Sequence, residues 1–413
     1  MCANCLQVVP ARVVQKDKLI YLQKRCPLHG QSLVLLHTDL NYYRRVVRSV
    51  TNMVPRDNPF NADCRVDCGI CPDHAASISA VILELLDMCD MRCPTCVAGS
   101  SPTAGNIRSA TSLASRLDEI RNLVPTPSLV MLSGGEPTIH PEFSKILNYA
   151  DSKGFHHLMV ITNGRLIAES KSFARSLSTI KNLEIYLQFD SLNDDALTDI
   201  RGSKLRNTRL RAIRNLQEAG IPATLVCVVK RGVNDQEMSS IVDFALTFNN
   251  IRGVTFQPLR FMGRTEGSSP DCHSITLSEV RTRILESSAH LRSLDFGPHP
   301  LSPETVCIGY LSRRLGVPVT SKVFHHLYSS SGQDVAPLTT PSLFAPPQFK
   351  APGLNYSDLF RVSIVSYLDR YTFTEEAARL CSFAFKVDEG KYIPLDTYYL
   401  FYQLSETLLT SIV

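Results

Sequence analysis

From residue 80 onward, apolar runs alternate with amphipathic segments. Strand-like runs occupy 80–87, 128–133, 156–162, 183–190, 221–230 and 252–258. Between them, apolar residues recur at helical spacing near 110–124, 141–153, 167–178, 205–219 and 235–248. A last helix near 276–290 opens with Thr276-Leu-Ser-Glu279, a capping box. Six strand–helix repeats predict parallel strands with the helices outside. Six units are too few for a closed eight-fold ring. The pattern therefore predicts an α/β fold, an open, partial (β/α)6 TIM-like barrel. Ligand sites in such folds gather at the carboxyl ends of the strands. Each run here ends in polar or glycine-rich residues: a cysteine triplet, Gly134–Pro137, Thr162-Asn163-Gly164, Gln188 with Asp190 and Ser191, Lys230 with Asn234, and Gln257-Pro258. One such end is an ordinary capped turn. Six in a row predict a shared site.

The barrel core takes 80–292. Before it lie an N-terminal ribbon-like metal domain (1–60) and a second cysteine-bearing segment (61–79). After it come a loop or linker region (293–352), rich in Ser, Pro and Thr from Ser329 to Pro352, and an α-rich tail (353–413) that caps the barrel mouth.

Composition narrows the class of protein. The 413 residues are 44% hydrophobic and 20% charged, as in a soluble globular chain. A net charge of +4 is too mild to argue for nucleic acid. No apolar run approaches the ~18 residues of a membrane span, and Met1-Cys-Ala-Asn-Cys5 does not read as a signal peptide. A cytoplasmic setting is the expectation, with peripheral membrane contact left open. Nine of the 13 cysteines fall in three clusters before residue 97. In a reducing compartment that clustering reads as metal ligation, not as disulfides. Cys227, inside an apolar run, reads as a small core residue.

The first cluster joins Cys2-x2-Cys5 to Cys26-Pro-Leu-His29-Gly30. Two such knuckles can build a tetrahedral Cys3His site for zinc or a single iron. Free thiols with a surface-turn histidine are the bland alternative. The second cluster is Cys64-x3-Cys68-x2-Cys71, with His74 or a distant cysteine as a fourth ligand to an auxiliary Fe–S cluster. The third is Cys89-x3-Cys93-x2-Cys96, directly after the first apolar run. Three thiols can ligate three irons of a [4Fe–4S] cube and leave one iron open. By themselves they could equally be zinc ligands. Thirty-seven residues after Cys96 stands Ser133-Gly-Gly-Glu-Pro-Thr138, at the end of the second run. Glycines there permit close backbone approach to a ligand, and Glu136 can accept from an ammonium group.

The triplet and the Gly-Gly-Glu element together resemble the radical S-adenosylmethionine (SAM) superfamily. Further elements resemble its branch of archaeal tetraether lipid synthases and pterin methyltransferases. They are Cys64 to His74, the knuckle Cys26–Gly30, Val229-Lys-Arg-Gly-Val-Asn234, Gly253-Val-Thr-Phe-Gln-Pro258 and Gly263-Arg264. The tail segments Tyr367–Phe373, Arg379–Cys381, Asp388–Gly390 and Ile393-Pro394 extend the likeness over nearly the whole chain. Asp295-Phe-Gly-Pro is followed by no cysteine before Cys307, so a further C-terminal cluster is not expected; Cys307 and Cys381 are relics, or one of them serves the Cys64 site.

The resemblance implies an enzyme in which Cys89, Cys93 and Cys96 hold a [4Fe–4S] cluster. SAM would lie against Gly134, Gly135 and Glu136, with Asn163, Asp190 and Ser191 facing its ribose and sulfonium, and Gln257 nearby. Arg264 could meet its carboxylate. It also implies reductive cleavage of SAM to a 5′-deoxyadenosyl radical, with an electron donor such as ferredoxin or flavodoxin. That radical would functionalise an unactivated C–H bond, of a lipid alkyl chain in one reading. In another the enzyme is a radical methyltransferase acting on a pterin-like heterocycle. Outside catalysis, the chain would be an inactive zinc-ribbon binding module.

Overall fold

The computed structural model describes residues 1–51, 74, 76, 78–103, 105–123, 127, 129–287, 291, 296–299, 302–313, 317–319, 350–351, 354–355 and 358–402. Cys64, Cys68 and Cys71 lie outside these residues.

The chain opens with three antiparallel strands, β1 (Ala11–Lys16), β2 (Leu19–Cys26) and β3 (Gly30–His37), paired in that order. Asp17 at φ +56° turns the first hairpin, and Gly30 at φ +75° follows the knuckle. Helix α1 (Leu40–Thr51) then buries Tyr42, Val46 and Val50, one apolar stripe at four-residue spacing.

The barrel strands come next. β4 (Ala80–Glu84) leads to a short β5 (Thr95–Cys96) and helix α2 (Ala110–Arg121). β6 (Leu129–Ser133) precedes α3 (Phe143–Ser152), and β7 (His157–Thr162) precedes α4 (Arg165–Glu169) and α5 (Lys171–Ser176). β8 (Leu183–Gln188) is followed by α6 (Asp194–Arg201) and α7 (Arg206–Glu218), and β9 (Ala223–Val229) by α8 (Met238–Leu246). β10 (Ile251–Pro258) leads through β11 (Arg264–Thr265) and α9 (Pro270–His273) to α10 (Leu277–Ser287). One predicted helix, 167–178, divides at Ser170. That residue is extended, and its side chain caps α5 by accepting from the Phe173 amide. The Thr276 box forms only by half. Thr276 Oγ1 accepts from the Glu279 amide at 3.1 Å, while the Glu279 carboxylate turns to Arg231 and Arg283.

β4, β6, β7, β8, β9 and β10 are parallel neighbours in chain order, the open partial barrel that the spacing predicts. Their inward residues Ile82, Met131, Met159, Tyr186 and Val226 fill the barrel. Their outward residues, such as Val81, Val130, Leu158 and Ile185, pack under the helices. Near the amino end of the barrel, Glu184 is fully buried between Arg361 (2.6 Å) and His157 (3.2 Å).

The C-terminal third departs from expectation. The region expected as linker carries β12 (Gly297–His299), β13 (Ser302–Ser312) and β14 (Val317–Val319), with β15 (Lys350–Ala351) and β16 (Leu354–Asn355) beyond. The tail, expected to be α-rich, supplies β17 (Leu359–Val365), β18 (Phe383–Lys386) and β19 (Tyr392–Pro394). β17 adds parallel to β10 and β18 parallel to β4, so the tail flanks the six strands on both sides. Leu359-Phe-Arg-Val-Ser-Ile-Val365 alternates as a strand does. Phe360, Val362 and Ile364 join the outer core, and Arg361 points inward to Glu184. Among the described residues, no helix is long and apolar enough to cross a membrane.

Candidate active site

Cys89, Cys93 and Cys96 sit on the loop after β4, gathered with Met91, Leu197 and Leu205. Among the described residues, no fourth cysteine joins that group. Burial pushes the Cys89 thiol up to about 12, helped by the charges of Glu136 and Asp90. Such thiols ionise on binding metal, not beforehand. The loop is clamped from both sides. β5 pairs with β11, setting Arg264 opposite Cys96. The Arg264 guanidinium donates to the carbonyls of Cys93 (2.6 Å), Ser100 (2.6 Å) and Gly99 (3.2 Å). Arg264 is thus a clamp on the loop. At Gly263 (φ +59°), a Cβ would come within 2.2 Å of the Val97 carbonyl, so only glycine fits. On the other side Thr95 Oγ1 donates to the Ile200 carbonyl at 2.8 Å.

The two glycines, which line the cavity described below, also serve a purpose that the sequence did not display. The Gly135 amide donates to the Leu86 carbonyl (2.8 Å) and the Glu136 amide to that of Met88 (3.0 Å). A Cβ on Gly134 or Gly135 would lie 2.2 or 2.1 Å from those carbonyls. The glycines let the end of β6 lie against the root of the cysteine loop. Glu136 is 2% exposed and accepts four hydrogen bonds. Oε1 takes the Thr138 amide (3.1 Å) and the hydroxyls of Thr138 (2.6 Å) and Thr162 (2.7 Å); Oε2 takes the Asn163 amide (2.7 Å). Desolvation raises its pKa, and these donors oppose the rise. Asn163 carries the chain of contacts onward, donating from Nδ2 to Asp90 at 2.7 Å, next to Cys89. Arg165 reaches the other Asp90 oxygen at 3.0 Å.

One cavity is lined by the three cysteines, Gly134–Glu136, Asn163, Gln188 and Gln257. Tyr186, Tyr367, Phe385, Leu395 and Tyr399 supply its aromatic and apolar wall. Gln257 Nε2 donates to the Tyr367 hydroxyl at 2.9 Å. Asp190 and Ser191 stand apart from this lining. Asp190, at φ +65°, is fully buried and holds Arg201 through two 2.7 Å bonds. Burial works against the Arg201 charge, yet the Asp190 carboxylate keeps its pKa above the ordinary value. Ser191 Oγ donates to Glu237 at 2.6 Å.

Arg209 was not foreseen. It is fully buried, and its three guanidinium nitrogens meet no hydrogen-bond partner among the described residues. Desolvation lowers its pKa to about 10, and Arg201 adds to that, against Asp190, Cys93 and Glu136. Its sequence signal was an arginine spaced with Ala212, Ile213 and Leu216 on the apolar stripe of α7. Two buried guanidinium groups beside the Cys93 loop suit an anionic group there.

In the ribbon, Cys2, Cys5, Cys26 and His29 bring four donor atoms within 4.8 Å of one another. Cys5 and Cys26 Sγ are 3.8 Å apart, and His29 Nδ1 lies 3.7 Å from Cys2 Sγ and 3.5 Å from Cys26 Sγ. Metal–sulfur bonds of about 2.3 Å in a tetrahedron put the sulfurs about 3.8 Å apart. The set fits one tetrahedral ion. The Cys5 backbone amide, as the main cause, lowers the Cys2 thiol to about 6.

Residues 83–245 match the family model of the radical SAM superfamily. The match runs from β4 into α8, through the barrel core of the chain. Residues 1–38 match the HMPTM N-terminal zinc ribbon domain, the region of the four-donor site. The chain is 26% identical to the 7,8-dihydro-6-hydroxymethylpterin dimethyltransferase of Methanocaldococcus jannaschii over 76% of its own length and 63% of that relative. It is 29% identical to GTP 3',8-cyclase 3 of Mycobacterium bovis over 40% of its length, spanning 45% of the cyclase. Streptococcus suis SuiB bound to S-adenosylmethionine aligns over 63% of the chain and 65% of SuiB, at 13% identity and a TM-score of 0.41.

Proposed function

We propose that the protein is a radical SAM methyltransferase whose substrate is a flat, pterin-like heterocycle. What carries this reading is one cavity lined at once by Cys89, Cys93 and Cys96, by aromatic rings and by two glutamine side chains. A lipid alkyl chain asks for a long apolar tunnel. Here Gln188 and Gln257 stand among Tyr186, Tyr367, Phe385 and Tyr399, as suits a small planar ring with polar edges. The likeness to a pterin dimethyltransferase over 76% of the chain supports the same choice.

In this reading Cys89, Cys93 and Cys96 hold a [4Fe–4S] cluster, and Arg201 and Arg209 balance its charge. Bound there, the cluster supplies the electron that cleaves SAM reductively. The protein's part is to bind, orient and exclude water. Gly135 and Glu136 fix the loop that carries the cluster, and the aromatic wall shields the cavity. Zinc closes the ribbon through Cys2, Cys5, Cys26 and His29, as the matched ribbon family suggests. A low-potential donor such as a ferredoxin or flavodoxin feeds the cluster. The auxiliary cluster at Cys64, Cys68 and Cys71 stays part of the proposal.

Glu136 has a double duty here. Oε2 accepts one internal donor and keeps capacity for the SAM ammonium. Glu136→Ala strands the buried Thr138 and Asn163 amides, at about 1–3 kcal/mol each. It also removes one partner of a charge-assisted pair, which lowers SAM affinity about thirtyfold or more. Glu136→Gln keeps the shape and loses less of both. Denaturant unfolding and equilibrium SAM binding separate the two effects. Unchanged SAM affinity in a folded Glu136→Ala protein removes the ammonium role.

The function itself is tested on anaerobically reconstituted protein. Iron and sulfide are counted, and 7,8-dihydro-6-hydroxymethylpterin is supplied with SAM and dithionite. Methylated pterin is the expected product. SAM cleavage with no change to the pterin would keep the radical chemistry and discard the substrate.

A further inference from the structure

From Arg201 to Glu218 the chain carries six arginines and lysines and one carboxylate, in a protein whose totals are 43 basic and 39 acidic residues. Lys204, Arg206, Arg211 and Arg214 are exposed, on the corner before α7 and along the outer face of that helix. Among the described residues, none of the four has an ion-pair partner. Glu218 pairs with Lys171 at 2.9 Å, and Asp194 accepts from the Arg206 backbone amide at 3.0 Å. The two helices at this corner carry their charges in opposite order. α6 opens on Asp194 and Asp195 and closes on Arg201, the order that the helix dipole favours. α7 has Arg206 and Arg209 in its first turn, no acidic residue there, and no basic residue in its last turn. Its N-cap, Leu205, supplies no capping side chain. These cations weaken the helix that bears them. A sequence that breaks a local rule in this way points to a function outside the helix.

The same corner lies on the cysteine loop. Leu205 packs with Cys89 and Cys93. Lys204 and Arg206 flank it in sequence and reach solvent. A Cβ built on Gly202 would stand 3.3 Å from the Pro94 ring and 3.6 Å from the Arg92 carbonyl. Arg92 is exposed too, but its charge is matched by Glu266 at 2.7 Å. One side chain, that of Leu205, thus stands between the basic face and two of the proposed cluster ligands. From this corner the 13 residues of α7 extend the face by about 20 Å. That span suits the small footprint of a transient redox encounter.

We infer that this face docks the electron donor, a small acidic redox protein of the ferredoxin or flavodoxin class. Electron tunnelling falls steeply with distance, so a donor has to dock where the surface comes nearest the cysteine loop. The face offers that proximity together with charge opposite to the donor's. Charges at the rim of an interface speed encounter and set orientation more than they add affinity. A carrier that must leave after each delivery needs that balance. The carrier is oxidised by one electron and the centre on Cys89, Cys93 and Cys96 is reduced by one; no bond or proton moves. The inference rests on the cluster proposed for those cysteines and is independent of the substrate.

The test uses the full-length, reconstituted protein and two carriers, a bacterial flavodoxin and a bacterial ferredoxin. Dithionite serves as a small reductant that needs no docking face. The double variants Lys204→Glu/Arg206→Glu and Arg211→Glu/Arg214→Glu are compared with wild type. Calorimetry reads carrier binding to the oxidised protein, and thermal unfolding is followed on the same samples. Formation of 5′-deoxyadenosine is measured with limiting carrier at low and at raised salt. The Lys204/Arg206 variant should take electrons from either carrier about tenfold more slowly or worse at low salt, and should lose most of the wild-type salt dependence. It should also bind the carriers more weakly. Its dithionite-driven rate should match wild type, and it should unfold no earlier, because the reversed charges suit the helix dipole. The Arg211/Arg214 variant should change in the same direction by less. Wild-type carrier binding and rates in both variants overturn the docking face. So does a loss shared with dithionite, which marks damage to the cysteine loop. Binding of anionic lipid vesicles in place of either carrier overturns it as well. A wild-type protein that cleaves SAM with neither carrier nor dithionite removes the cluster reading itself; one that cleaves it with dithionite alone removes only the donor face.

Discussion

Replacing Cys93 with alanine should give a folded protein that keeps little cluster iron and forms no 5′-deoxyadenosine. Cys93 lies on a loop, outside the barrel sheet, held by Arg264 and by the Thr95–Ile200 contact through groups that the substitution leaves in place. The fold therefore survives. A cube held by three thiolates loses one of its three protein bonds, and the remaining two do not retain it through turnover. Iron and sulfide counts after anaerobic reconstitution, with 5′-deoxyadenosine measured under dithionite, check this. SAM cleavage at the wild-type rate in the variant would show that the cluster sits elsewhere in the chain.

Asp190 predicts a large effect of the opposite kind, on stability. Its carboxylate holds the buried Arg201 by two 2.7 Å bonds and also accepts from the Val228 amide at 3.0 Å. Removing one partner of a buried pair leaves an uncompensated charge and costs about 3–5 kcal/mol. Arg209, which has no hydrogen-bond partner among the described residues, would add a second buried cation. Asp190→Asn isolates the charge, because asparagine tolerates the φ of +65° that Asp190 adopts. Asp190→Asn should lose a large share of that stability and Asp190→Ala more, by denaturant unfolding. A loss below about 1 kcal/mol in Asp190→Ala would match an exposed pair instead. The conclusion that Asp190 acts on Arg201 and not on SAM would then fail.

The barrel was legible because its signal is periodic and local. Runs such as Leu129–Ser133 and Ala223–Val229 are buried on both faces, and parallel strands of that kind read as continuous apolar stretches. Cysteine spacing likewise marked the four-donor ribbon site before any geometry was known. What stayed hidden depends on partners distant in sequence. Arg361 and Ser363 made β17 look half-polar, yet their partners are Glu184 and Thr255, far earlier in the chain. Polar strand ends marked the mouth of the barrel correctly as a region. They could not show that Asp190 and Ser191 turn away from the cavity while Gln188 and Gln257 face it. Arg264 read as a ligand residue for the same reason: its three acceptors are backbone carbonyls of the cysteine loop, which no sequence pattern displays.

The placement of β17 and β18 bears on how the molecule is made. A nascent chain can assemble β4 through β10 long before residues 359–386 emerge, and until then both margins of that sheet are unpaired. Bare margins invite pairing with other chains, and late non-local pairing slows folding. The same tail brings Tyr367, Phe385, Leu395 and Tyr399 over the cysteines. The cluster proposed for those cysteines would have its easiest entry before the tail is in place. Arrival of the tail both extends the sheet at its two margins and closes the cavity over Cys89, Cys93 and Cys96.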